Sequence, residues 1–143
     1  MLQSYVLDAE LEGFDGVRRV IAVREDLTLV DLHYALQSAF GWDDDHLYAF
    51  WVGADCWSSE TGRYTHPCDP IVPGAPGQSA AIGLQRLGLA EGGRLSYVFG
   101  FEREWRVRLH VDGLVADDGR PSPRLLESAG TAPPQYPLHA GVS

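Results

Sequence analysis

Residues 28–41 read Thr-Leu-Val-Asp-Leu-His-Tyr-Ala-Leu-Gln-Ser-Ala-Phe-Gly, the strongest periodic pattern in the chain. Leu29, Leu32, Leu36, Ala39 and Phe40 recur at helical spacing and make one apolar stripe. Thr28 is placed to cap the helix, with Asp31 three residues on in the manner of a capping box. Gly41 is placed to end it in the left-handed conformation. A helix with a single apolar face needs a surface to lie on, and the flanking residues supply strands to build one.

Tyr5, Leu7, Ala9 and Leu11 alternate with Asp8, Glu10 and Glu12, the pattern of a strand with one face in water. Gly13-Phe14-Asp15-Gly16 reads as a turn into a second β-rich run, Val17 to Val23, so the two form a hairpin. After the helix, Leu47 to Val52 is a compact aromatic strand that sets His46, Tyr48, Phe50 and Val52 on one side. Residues 53–80 carry Gly, Pro and Ser throughout and read as a long irregular loop. Ile82 to Leu89 reads as a short helical turn and Gly92-Gly93 as a tight one. Arg94 to Phe101 and Trp105 to Val111 are strands joined through Glu102-Arg103-Glu104. In the last strand Trp105, Val107, Leu109 and Val111 share one face and Arg106, Arg108 and His110 the other.

The expectation is an α+β fold, β-grasp-like in outline: an N-terminal hairpin and one main amphipathic helix packed on a mostly antiparallel sheet of about five strands. Residues 1–116 are expected to form the domain. Residues 117–143, which hold five of the nine prolines, are expected to be an extended tail with at most a helical turn at Leu125-Leu126.

A chain of 143 residues buries enough surface to fold without disulfides or metals. No apolar run approaches the ~20 residues of a membrane span, and no secretory signal is read at the N-terminus, so the expected compartment is the cytoplasm. There Cys56 and Cys68 are expected to be free thiols. The net charge is −9, and every one of the 11 basic residues is arginine. An acidic chain starts from repulsion toward phosphate, which argues against nucleic acid as a partner.

The stretch from Arg18 to Phe50 resembles the plasmid pRiA4b ORF-3-like family. The matching residues are Arg18-Arg19, Thr28-Leu29, Asp31-Leu32-His33, Gln37, Gly41-Trp42 and His46-Leu47-Tyr48-Ala49-Phe50, continuing more weakly to Trp105 and Pro133-Pro134. The resemblance implies a compact α+β fold and no particular activity. Where the family pattern carries two aspartates and a histidine around its late tryptophan, this chain has Gly100, Arg103 and Val107. Pro133-Pro134 is followed by Gln135-Tyr136 in place of the family's acidic pair.

Asp43-Asp44-Asp45-His46 is the most conspicuous charged run. Three successive carboxylates point in different directions, and no glycine-turned calcium loop follows. The run reads as a hydrated connection from helix to strand. Cys56, His66 and Cys68 have zinc-ligand chemistry, but their spacing fits neither a finger nor a ribbon. His33, mid-helix, reads as a hydrogen-bonded boundary residue rather than a base. No nucleophile motif, phosphate loop or dinucleotide fingerprint is present.

Arg106 and Arg108 form a stripe that could meet an anion, RNA or an acidic partner. The simpler reading pairs them across strands with Asp8, Glu10 and Glu12. Most of the four tryptophans, Trp42, Trp51, Trp57 and Trp105, are expected in the core, and Trp57, in the polar loop, is the one expected to be exposed and the candidate anchor.

The sequence therefore points to a non-catalytic binding or protein-interaction module without a cofactor, in a chain more plausibly not an enzyme, with its oligomeric state open. Candidate binding residues are Trp42, His46, Tyr48, Trp57, Trp105, Arg106 and Arg108. One alternative is a metal-dependent hydrolase or nuclease built on Asp43–His46 with Glu102 and Glu104, or on Cys56, His66 and Cys68. A second is a nucleic-acid-associated protein using Arg106 and Arg108.

Overall fold

The computed structural model describes residues 2–42, 47–53, 63–65, 78–100 and 104–132. Its strands are β1 (Gln3–Leu11), β2 (Arg18–Arg24), β3 (Tyr48–Val52), β4 (Arg63–Thr65), β5 (Gln78–Ser79), β6 (Arg94–Phe99), β7 (Trp105–Ala116) and β8 (Arg124–Ala129). One α-helix, α1 (Leu29–Phe40), separates β2 from β3, and a 3₁₀ turn occupies Leu84–Arg86. All eight strands join one sheet in the order β5-β4-β3-β6-β7-β1-β2-β8. Every neighbouring pair is antiparallel except β4 with β5.

The expectation of about five strands, and with it the β-grasp-like outline, is corrected to eight. The five expected strands are all present and form the unbroken centre of the sheet, β3-β6-β7-β1-β2. The additional three lie at its edges. β4 and β5, with three and two residues, fall inside the segment read as a long irregular loop. β8 falls inside the segment read as an extended tail. None of the three has an alternating apolar pattern of its own. Each becomes a strand by completing the hydrogen-bond ladder of a neighbour, a tertiary effect that local propensity does not report.

The helix forms as its sequence dictates. Thr28 Oγ1 accepts from the Asp31 amide at 3.2 Å, and Asp31 Oδ2 accepts from the Thr28 amide at 2.9 Å. Two further first-turn donors find backbone oxygens outside the helix: Leu29 N–H donates to Ile82 O at 3.3 Å and Val30 N–H to Ala80 O at 3.1 Å. The first turn is thereby satisfied and pinned to the segment before β6. Gly41 ends the helix at φ 76°, and the Trp42 amide reaches back to Gln37 O at 2.8 Å. Positive φ costs glycine nothing and any L side chain about 1–2 kcal/mol.

β2 and β3 lie on opposite sides of β6, β7 and β1, so α1 must carry the chain across four strand spacings. Four spacings amount to about 19 Å, and 12 helical residues rise about 18 Å. The core sits between α1 and one sheet face. The helix contributes Leu29, Leu32, Leu36 and Phe40. The sheet contributes Tyr5, Leu7, Ala9 and Leu11 from β1, Tyr48 and Phe50 from β3, and Val107, Leu109 and Val111 from β7. A second, smaller apolar cluster of Ala49, Trp51 and Val98 lies on the opposite face, where Trp51 is only 1% exposed. Among the described residues, no helix is long and apolar enough to cross a membrane.

Candidate functional site

His33 and Gln37 stand one helical turn apart on the side of α1 that faces the sheet. His33 Nδ1 lies 2.8 Å from Tyr97 Oη, and Gln37 Nε2 donates to the same oxygen at 2.8 Å. The imidazole also stacks on Tyr48, ring centroids 3.6 Å apart and planes within 9°. Tyr97 in turn packs on Phe50, centroids 4.8 Å apart. His33 is fully buried at 0% exposure, and Gln37, Tyr48 and Tyr97 are buried around it. Buried polar groups are costly unless hydrogen-bonded, so this cluster ties α1 to β6 at one defined register. His33, expected mid-helix as a hydrogen-bonded residue at the boundary of the core, is fully buried.

Beside this cluster Trp42 leaves the left-handed turn at Gly41 and enters a stack of rings. Its centroid is 4.9 Å from Phe40, 5.7 Å from Phe99 and 5.6 Å from Trp105. Phe14 covers Trp105 at 5.8 Å. Trp42 and Trp105, two of the candidate binding residues, thus meet, and both are buried, as is the candidate Tyr48 on His33. Among the described residues Trp42 Nε1 and Gln37 Oε1 have no hydrogen-bond partner.

Arg19 is also buried, and its role was not evident from the sequence. Its Nε donates to Ala39 O at 2.9 Å in the last turn of α1, and its Nη1 to Arg18 O and Ala129 O at 2.8 Å each. The guanidinium carbon stands 5.2 Å from the centre of the Phe40 ring. One planar cation thereby satisfies carbonyls at the end of the helix and the end of β8 together, where the helix dipole favours positive charge.

Arg106 and Arg108 lie on the sheet face away from α1. Arg106 is ion-paired to Glu104, with its Nη2 at 2.6 Å and its Nε at 2.8 Å from Oε1. Arg108 is in register between Ser96 and Glu10. On the same face Arg18 engages both Asp8 oxygens, at 3.0 and 2.8 Å. That hydrogen bond, reinforced by the Asp8 charge, pushes the Arg18 guanidinium above its ordinary value. The face is a mosaic of alternating sign rather than a basic stripe.

A groove of about 320 Å³ runs between α1 and β8, lined by Asp31, Tyr34, Ala35, Ser38 and Ala39 on one side and Ile21, Pro123, Arg124 and Leu125 on the other. Tyr34 is 48% exposed and Leu125 49%. The sequence reading missed this surface. Its signals were Tyr34, which stands off the apolar stripe, and the Leu125-Leu126 pair among polar and proline residues.

Among the described residues, no three His, Cys, Asp or Glu side chains gather so as to hold a metal ion. His46, Trp57, Cys56, His66 and Cys68 lie outside the described residues, as do Asp43, Asp44, Asp45 and Glu102.

A family model described as plasmid pRiA4b ORF-3-like protein matches residues 3–136. The fold is similar to that of a protein of unknown function from Methanosarcina mazei Go1, known from its crystal structure. The two superpose with a TM-score of 0.74 at 24% identity, over 90% of this chain and 70% of that one. No curated protein matches the chain.

Proposed function

We propose that this chain, which belongs to the plasmid pRiA4b ORF-3-like family, is a cytoplasmic, non-catalytic binding module whose partner is a protein. The observation that carries this reading is the groove between α1 and β8, where Tyr34 and Leu125 stand half-exposed beside Asp31. A large aromatic and an aliphatic side chain at the rim of a groove is the chemistry of a protein-binding surface, in which tyrosine supplies contact area at low entropy cost. Two further features support it. The side chains best suited to proton transfer, His33 and Tyr97, are fully buried between helix and sheet and hydrogen-bonded to each other. The arginines best suited to phosphate are set among acids, Arg106 on Glu104 and Arg108 opposite Glu10.

Two measurements on the purified full chain test the reading. The first is hydrolysis of nucleic-acid and ester substrates with Mg²⁺, Mn²⁺ or Zn²⁺ added, for which no turnover is expected. The second is retention of protein partners on the immobilised chain, compared with a Tyr34→Asp variant of unchanged fold, for which loss of retention is expected. Metal-supported turnover, or retention indifferent to Tyr34→Asp, overturns it.

A further inference from the structure

β8 is an edge of the sheet: it pairs with β2 on one side, and its other side carries no strand among the described residues. Such an edge offers unpaired N–H and C=O groups to another chain. Natural edges are commonly blunted by lysine, proline or a bulge. This one has neither lysine nor proline between Arg124 and Ala129, but it has a bulge. Ile21 pairs with Leu125 and Val20 with Glu127, so Leu126 is the extra residue.

The bulge has a specific geometric effect. Arg124 pairs with Ala22 and Glu127 with Val20, and both β2 residues point away from the helix-side core. Arg124 and Glu127 are an odd number of residues apart and would face opposite ways in a regular strand. With one residue absorbed at Leu126 they face the same way. Leu125, paired with Ile21 of the core, faces the helix side and lines the groove. Leu125 and Leu126 are exposed at 49% and 39%.

The sequence of this edge, Arg124-Leu125-Leu126-Glu127, is complementary to itself when read antiparallel. Arg124 meets Glu127 of a second copy, Leu125 meets Leu126, Leu126 meets Leu125, and Glu127 meets Arg124. From this we infer that β8 pairs with β8 of a second copy, making a two-fold dimer with a sheet continuous across both chains. The inference rests on the binding reading, since Leu125 belongs to both the groove and this edge, and names one partner for it.

Two considerations favour a second copy over a foreign strand. A straight strand would lose register against the bulge. A second copy carries the same extra residue at the same place, so the two-residue step between the charged positions recurs on both sides. The charge pattern also closes under two-fold symmetry, as an interface between identical surfaces requires. Arg124 is within reach of its new partner, since its intrachain contact, Nη2 to Asp118 Oδ2, is a 3.3 Å approach at an exposed carboxylate. A strip of this size falls at the small end of specific interfaces, so the dimer should be weak and dissociate on dilution.

The test is sedimentation of the full chain over a concentration series, with urea unfolding as a check on folding. The wild type is expected to show a concentration-dependent monomer–dimer equilibrium. Glu127→Arg sets like charges opposite each other twice per dimer and should weaken association about tenfold or more, since cross-strand charge pairs act in both senses. The double variant Arg124→Glu with Glu127→Arg restores opposite charges and should recover most of the association. A second variant, Leu126→Asp, should abolish it while leaving the monomer folded. A wild type that stays monomeric overturns the inference without touching the binding reading, which stands or falls on Tyr34→Asp. A dimer indifferent to Glu127→Arg, or a double variant no better than the single one, also overturns it.

Discussion

His33 Nδ1 and Tyr97 Oη, 64 residues apart in sequence, are 2.8 Å apart in the fully buried layer between α1 and β6. Because Gln37 Nε2 donates to the same hydroxyl, that oxygen serves both polar groups of the helix. Tyr97→Phe keeps the ring and deletes the oxygen. It should cost about 1–3 kcal/mol, the penalty for stripping a partner from buried polar groups, measured as a lowered urea midpoint with unchanged m. Ser38→Ala, on the exposed side of the same helix, should stay within about 0.5 kcal/mol of wild type. Equal effects for the two variants would show that the buried hydroxyl has no special role.

The helix start makes a second expectation. Thr28→Ala removes the side-chain acceptor of the Asp31 amide, while the carbonyls of Ala80 and Ile82 still hold Val30 and Leu29. The loss should be about 1 kcal/mol, within the range for cap deletions, and should appear in chemical denaturation. A larger effect would mean that the cap also fixes the docking of residues 80–84.

Gly130, just beyond β8, has φ 71°, and an added Cβ would lie 2.6 Å from Gly16 O and 3.0 Å from Val17 Cα. Both obstructing atoms are backbone, so no side chain can move aside. Gly130→Ala should destabilise by roughly 1–3 kcal/mol, from left-handed strain alone and more from the clash. By contrast Gly119→Ala has a similar φ of 78° and open space around it, so it should cost less. Thermal or urea unfolding of the two variants side by side separates conformation from crowding.

Acid sensitivity follows from two surface carboxylates. Asp26 is held below its ordinary value of 3.8 chiefly by the hydrogen bond from Arg24. Asp118 is held below the same value chiefly by the Arg120 amide, with Arg124 and Arg120 adding charge. A depressed folded value means that the unfolded chain binds the proton first. The stabilisation is therefore present above the unfolded value near 4 and is lost as pH falls through the lower folded one. Tyr5 works in the opposite sense. Burial, then the Glu25 charge, raise it above 10.0, so its contribution is present below pH 10 and lost as pH rises past the folded value. Urea midpoints should decline toward pH 3, and Arg24→Gln should flatten part of that decline. An unchanged acid slope in that variant would contradict the assignment to Asp26.

The legible parts of the fold were those whose signal is local. Tyr5 to Leu11 and Trp105 to Val111 alternate cleanly because only one face of each strand is buried. Thr28, Asp31 and Gly41 announce the helix because caps are chosen by the backbone groups next to them. β8 was hidden because Arg-Leu-Leu-Glu-Ser-Ala has no β-branched residue, and its bulge breaks the period by which strands are recognised. It is a strand because β2 offers it a ladder. His33 was placed at a boundary because an imidazole on a helix carries no sign of where its partners are. Tyr48 and Tyr97, which make it an interior residue, arrive 15 and 64 positions later. Trp42 and Trp105 were candidate binding residues, and nothing in their spacing showed that they would stack on each other. The groove depends on Tyr34 and Leu125, which meet only once α1 and β8 are both in place.

Among the described residues β7 is the penultimate strand, yet it lies between β6 and β1 and bridges the half of the sheet holding β3 and β6 to the half holding β1 and β2. On the ribosome the first hairpin and the helix emerge long before this strand does. Until about residue 116 has cleared the exit tunnel, the nascent protein holds two sheet fragments whose raw inner margins have no strand between them. A chain truncated upstream of Trp105 should be a substrate for chaperones rather than a smaller version of the same molecule.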